Sequence, residues 1–195
     1  MKDIIITDLS KCFGDKNVLS GFNAVFKSGE ISVIMGESGC GKTTLLNIIM
    51  GLEKANSGNI TGIPERISAV FQEDCLAESF SAISNLKAVT GKRVSKSKII
   101  ELLLSFGLTE KDINGSVDRL SGGMKRRVSI ARSLIAEGDL LIMDEPFKGL
   151  DEDTRAKVAS IVEHEVRRAN KTLLLITHDY IDIELIHADS LIKIT

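Results

Sequence analysis

Ile31-Ser32-Val33-Ile34-Met35-Gly36-Glu37-Ser38-Gly39-Cys40-Gly41-Lys42-Thr43-Thr44 is the stretch that decides the fold class. Its first five residues are a near-continuous apolar run with no two-residue alternation, the pattern of a strand covered on both faces of a parallel sheet. The residues that follow have the form GxxxxGK[ST]. A glycine-rich loop of this form points successive backbone N–H groups inward and adds a lysine cation, which makes a cradle for a nucleotide's phosphates. Lys42–Met50 then reads as a helix closed by Gly51, and the partial positive charge of its N-terminus reinforces the cradle. A glycine-rich turn with an incidental lysine is the bland alternative, and the strand–loop–helix context weighs against it. Gly36, Glu37, Ser38, Gly39, Cys40, Gly41, Lys42, Thr43 and Thr44 are therefore the candidate phosphate-binding residues. Lys42 is expected on the β- and γ-phosphates and the Thr43 hydroxyl on Mg²⁺.

The same alternation continues outward from this stretch. Leu140–Met143 and Leu173–Ile176 are further apolar strands, Ile67–Phe71 is another, and Ser190–Ile194 is the final strand candidate. Met124, Val128, Ala131 and Ile135 fall on one helical face before Gly138, and Val158, Ile161, Val162 and Val166 form the stripe of a helix capped near Asp151 or Asp153. The expected fold is α/β, a mainly parallel central sheet flanked by helices. Ile4–Ile6, Val18–Leu19 and Ala24–Phe26 read as short strands of an N-terminal β-rich layer. Residues from about 79 to 117 carry few strand signals and a helix over Ser97–Phe106 stopped by Gly107, which reads as a small helical subdomain within one 195-residue domain.

Composition limits the function classes. The chain is 43% hydrophobic and 27% charged, enough to bury a substantial core. Twenty-five Lys and Arg against 27 Asp and Glu give a net charge of −2, which provides no global electrostatic case for binding nucleic acid. No apolar run approaches bilayer length and no signal peptide precedes Ile4-Ile5-Ile6, so a cytosolic location is expected. Cys12, Cys40 and Cys75 follow no metal-ligand spacing and read as reduced thiols.

Two further motifs narrow the class. Leu140–Met143 delivers Asp144-Glu145-Pro146 at a strand end, where the ligands of open parallel sheets sit. Taken alone, such a pair is most often the start of a solvated loop. Leu120-Ser121-Gly122-Gly123 opens a helix, where a serine hydroxyl and free amides suit an anion and glycine permits close approach. Unaided, that physics says only that the helix is N-capped.

With the phosphate loop, LSGG and the Asp-Glu strand in this order, the chain resembles the ATP-binding subunits of ABC transporters. The resemblance runs from Phe13 to His178, nearly the whole chain. It implies an ATPase using ATP and Mg²⁺, in which two chains sandwich two nucleotides and drive transmembrane permease subunits from the cytoplasmic face of the membrane. Asp144 then matches the magnesium-associated aspartate, and Glu145 the carboxylate that polarises the attacking water. Gln72 matches the glutamine that contacts the Mg²⁺ and water region, although a lone Gln after a strand is ordinarily polar surface. His178, in Thr177-His178-Asp179, matches the histidine that touches the γ-phosphate, whereas His164 and His187 lie in helix-like segments and read as merely exposed. Ser121, Gly122 and Gly123 match the signature that binds the γ-phosphate held by the other protomer. Asp151 matches an aspartate that communicates across the dimer, a role compatible with an N-cap. Phe13 aligns with the aromatic that stacks on adenine, although a lone Phe in such a layer is more often core.

Some positions depart from the family pattern. Arg126 stands where glutamine is frequent, and Phe147 where many members have threonine. Asp144-Glu145-Pro146-Phe147 and Val70-Phe71-Gln72-Glu73-Asp74 lean toward importer subunits of the nitrate, sulfonate and taurine type. The helical subdomain is short, and part of the apolar set Leu76, Phe80, Ile83 and Leu86 is expected to serve a permease helix rather than internal packing. The rival readings are an ABC ATPase without a permease and a nucleotide-binding regulatory module with little turnover. The presence of both Glu145 and His178 argues against the second.

Overall fold

The computed structural model describes residues 1–194. Its centre is a parallel sheet of β5 (Ile67–Val70), β6 (Leu140–Asp144), β7 (Thr172–Ile176), β3 (Ile31–Met35) and β8 (Ser190–Lys193), paired in that order. All five residues of β3, of β6 and of β7 are buried, which is why these strands read as continuous apolar runs rather than alternating ones. Alternation reappears in where the side chains go. Ile31, Val33, Leu141, Met143, Leu173 and Leu175 enter one core, while Ile34, Leu140, Ile142, Leu174 and Ile176 enter the other, on the opposite face.

The first core is closed by α2 (Ala82–Thr90), α3 (Lys96–Ser105), α5 (Gly122–Ile135) and α6 (Glu152–Arg168). The second is closed by α1 (Lys42–Ile49) and by an antiparallel sheet of β1 (Ile4–Phe13), β2 (Lys16–Phe26) and β4 (Ser57–Thr61), in the order β2-β1-β4. The short strands expected over Ile4–Ile6, Val18–Leu19 and Ala24–Phe26 are parts of two long ones. Register shifts after Ile6 and Leu9, with Asp8 at a φ of 49°, break the two-residue pattern that would have shown their length.

The region between β5 and α5 is helical, with α4 (Glu110–Asn114) joining α2 and α3. Each of the three helices starts at a hydroxyl that accepts a backbone N–H: Ser81 from Ser84, Ser95 from Lys98 and Thr109 from Asp112. α3 occupies nearly the residues expected, and α2 adds a nine-residue helix that buries Ala82, Ile83 and Leu86, whereas α4 and α7 (Tyr180–Leu185) are too short for a hydrophobic stripe to announce them. α5 ends at Ile135, with Ala136 already extended, short of the stop expected at Gly138. His187 is exposed but lies beyond α7, at a φ of 45°. No helix among the described residues is long and apolar enough to cross a membrane.

Candidate active site

Because the strands of the main sheet are parallel, β3, β5, β6 and β7 end on the same side, and their C-terminal ends deliver the loop Gly36–Gly41, Gln72, Asp144-Glu145 and His178 to one cleft of about 1230 Å³. Phe13, at the end of β1 and 48% exposed, lines its mouth, and the Lys11 ammonium lies 4.6 Å from the ring centroid. The base-sized surface and the phosphate loop thus share one cavity.

Two glycines of the loop are required by its shape. A Cβ on Gly36 would stand 2.5 Å from both Cys40 Sγ and the Ile194 carbonyl oxygen, and one on Gly41, at a φ of 102°, would stand 2.8 Å from the Val18 carbonyl. Gly41 is also the N-cap of α1, so the loop passes directly into a helix N-terminus. Lys42 is buried, and its Nζ donates to the carbonyls of Gly36 at 2.8 Å and Glu37 at 2.7 Å, which holds the cation at the centre of the loop.

Across the cleft floor the Thr43 hydroxyl donates to Asp144 Oδ2 at 2.9 Å. Burial lifts the Asp144 carboxyl above the usual range and the charge of Glu145 adds to this, while the hydrogen bond from Thr43 opposes it. The paired hydroxyl and carboxylate are hard oxygen donors, with the Gln72 amide lining the same cleft, which fits Mg²⁺. No group of three His, Cys, Asp or Glu able to hold a metal exists among the described residues.

Glu145 has a φ of 47°, uncommon for a non-glycine residue. Its backbone N–H donates to the Ile176 carbonyl at 2.9 Å. Its Oε1 lies 3.1 Å from His178 Nδ1 and its Oε2 3.1 Å from Lys148 Nζ. The Lys148 contact is an ion pair rather than an aligned hydrogen bond, since Oε2 has no hydrogen-bond partner. Burial pushes the carboxyl up, but Lys148 and His178 together outweigh it and hold Glu145 below its ordinary value, ionised at neutral pH.

Ser121, Gly122, Gly123 and Asp151 do not line this cleft. Ser121 caps α5, accepting from the Met124 N–H at 3.3 Å, and Asp151 caps α6, accepting from the Thr154 N–H at 3.0 Å. The two caps are neighbours, because a Cβ on Gly123 would stand 3.5 Å from the Leu150 side chain. The cleft also contains Lys16, Lys148, Tyr180 and Lys193, which sequence reasoning did not single out. For Lys148 the available signal was its spacing of three residues from Glu145. Lys16, Tyr180 and Lys193 carry no motif and reach the cleft through the fold alone.

This arrangement defines a P-loop ATPase, and comparison with known proteins narrows it. The family described as ABC transporter matches residues 19–148. Among relatives, the aliphatic sulfonates import ATP-binding protein SsuB 1 of Nocardia farcinica is 38% identical over 180 residues, covering 90% of this chain and 71% of that protein. The SsuB 1 protein of Paracoccus denitrificans is 35% identical over 190 residues, covering 97% and 78%. Among solved structures, the dimeric post-hydrolysis state of the ATP-binding cassette MJ0796 bound to ADP and Pi superposes with a TM-score of 0.84 at 26% identity, covering 98% of this chain and 94% of that one. A putative ABC transporter ATP-binding protein from Pyrococcus furiosus gives 0.85 at 28% identity, covering 99% and 98%. The chain belongs to the ABC transporter family. It is an ATP-hydrolysing subunit of a membrane transporter, using ATP and Mg²⁺ and working with a second ATPase subunit and with permease subunits.

Proposed function

We propose that this chain powers an importer of the sulfonate type, acting on the cytoplasmic face of the membrane as one domain whose residues 79–117 form a helical subdomain with the start of α5. The observation that carries the catalytic part of this reading is the convergence of the Thr43–Asp144 pair with Glu145 and His178 in one cleft beside the phosphate loop. Lys42 and the amides of Gly36–Thr44 hold the phosphates of ATP, and Phe13 stacks on the adenine. Thr43, Asp144 and Gln72 hold Mg²⁺, which when bound supplies positive charge against the phosphate oxygens. Glu145, ionised at neutral pH, orients the attacking water and accepts its proton, while His178 contacts the γ-phosphate and fixes the Glu145 carboxylate through Nδ1.

Ser121, Gly122, Gly123 and Asp151 act on the nucleotide of the partner protomer, which accords with their position outside the chain's own cleft. Import of a small sulfonate rests on the relatives, and it fits the sequence around Gln72 and Phe147. Light scattering of Glu145→Gln protein tests the assembly: a dimer with ATP and a monomer without it are expected, and Ser121→Arg abolishes the shift. A mass that ignores ATP refutes the shared site. Uptake of a sulfonate by vesicles carrying the chain with its permease tests the cargo, and export or indifference to sulfonates refutes it.

A further inference from the structure

α5 does more than present Ser121 at its tip. Four of its side chains hold main-chain carbonyls of β5 and the segment that follows it: Ser133 Oγ donates to Ala69 within β5 at 2.7 Å, Arg126 to Phe71 at 2.6 Å, Ser129 to Asp74 at 3.0 Å and Arg132 to Cys75 at 2.7 Å. Cys75 and Glu145, each within reach of this helix, are both non-glycine residues at positive φ, of 48° and 47°. Backbone so disfavoured persists only where its surroundings hold it.

Arg126 is the member that reaches both segments. Arg126 is 5% exposed, and its guanidinium donates through Nη1 to the Phe71 carbonyl at 2.6 Å and to Asp74 Oδ1 at 3.2 Å, and through Nη2 to the Glu145 carbonyl at 2.9 Å. Phe71 immediately precedes Gln72. One planar, rigid fork therefore fixes the backbone beside Gln72, the backbone of Glu145 and the fifth residue of the helix that Ser121 caps.

We propose that Arg126 is a positioning residue for hydrolysis: it makes the N-terminal half of α5, Gln72 and Glu145 move as one unit, so that an event at Ser121 is felt at both side chains. This rests on the roles given above to Gln72, Glu145 and Ser121. The shape of the side chain is what matters. A lysine keeps the charge beside Asp74 but is a point donor that cannot span both carbonyls in one plane, and a glutamine offers a single amide.

The test is steady-state phosphate release and equilibrium ATP binding for Arg126→Lys and Arg126→Gln, with Glu145→Gln measured alongside. Both arginine variants are expected to lose at least tenfold in kcat while the Kd for ATP stays within twofold of the parent. A merely structural arginine gives a different pattern, with ATP affinity and kcat falling together. That pattern overturns the proposal, as does a loss of less than tenfold in either variant or the failure of both to fold. Glu145→Gln separates the two levels of reading. If it turns over like the parent, the site assignment itself is wrong; if it is inactive while the arginine variants hydrolyse normally, only the positioning role is wrong.

Discussion

Replacing Glu145 by glutamine separates chemistry from binding and from folding, because the geometry assigns a different magnitude to each. The amide has the same shape as the carboxylate and can still meet His178 Nδ1, 3.1 Å from Oε1, but it cannot accept a proton from water. A positioned general base contributes about 10²- to 10⁴-fold in rate, which at 1.36 kcal/mol per tenfold is roughly 2.7–5.4 kcal/mol of barrier. Against this stands the lost pair with Lys148, whose side chain is 58% exposed, so that solvent screens the interaction to less than about 1 kcal/mol. Turnover should therefore fall at least a hundredfold while the midpoint of urea unfolding moves little. ATP binding should be retained, since Glu145 is not part of the phosphate cradle. Steady-state phosphate release, equilibrium nucleotide binding and urea denaturation measure the three quantities. Turnover within tenfold of the parent refutes the general-base role, and a binding loss of the same size as the rate loss refutes the separation.

Other sites give similarly directed outcomes. Lys42→Ala removes the cation at the loop centre and should weaken ATP binding at least tenfold, measured by titration with a fluorescent ATP analogue. Asp144, raised by burial, binds a proton more readily in the folded chain, so its ionisation lowers stability as pH rises from the ordinary carboxylate value through the raised one. Glu145, depressed overall, adds stability that is present above the ordinary value and lost as pH falls through its lowered one. The acidic limb of the ATPase pH profile should then follow Asp144 and move to lower pH when Mg²⁺ is raised; a limb indifferent to Mg²⁺ contradicts this. Phe80 is 61% exposed, whereas Ile83 and Leu86 are buried and Leu76 packs against the core, so only Phe80 of that set is free to dock a permease helix. Phe80→Glu should leave the melting temperature nearly unchanged and abolish co-purification of the permease, while Leu86→Ala should lower stability by about 2–5 kcal/mol in urea titration.

The parts legible from sequence are those where one residue type at one spacing meets one physical demand. Ile31–Met35 followed by glycines and Lys42 spells a strand, a phosphate loop and a helix, and of the two aspartates that suit the start of α6, Asp151 is the one that accepts from Thr154. The rest depends on distance in three dimensions. Lys148 turns back on Glu145, Tyr180 and Lys193 meet at the cleft wall with Nζ 5.9 Å from the ring centroid, and Arg126 reaches across to Phe71 and Glu145. None of these contacts leaves a periodic trace. β4 escaped for another reason: in Ser57–Thr61 only Ile60 is even half-buried, so no apolar pattern marks it.

The strand order has a consequence for how this chain is made. β3 pairs with β7 and β8 only, and β7 begins about 140 residues after β3 ends. At roughly 5–20 residues per second of synthesis, a strand that is apolar apart from Ser32 waits roughly 7–28 seconds before either neighbour leaves the ribosome. During that interval Ile31–Met35 has two open edges, and parallel pairing at such long separation is slow even once both partners exist. The nascent chain is thus exposed to wrong pairing at the very strand that leads into the phosphate loop. Nucleotide arriving during synthesis finds the loop before it finds Asp144 or His178, so the growing polypeptide gains little protection from ATP until His178 has been added.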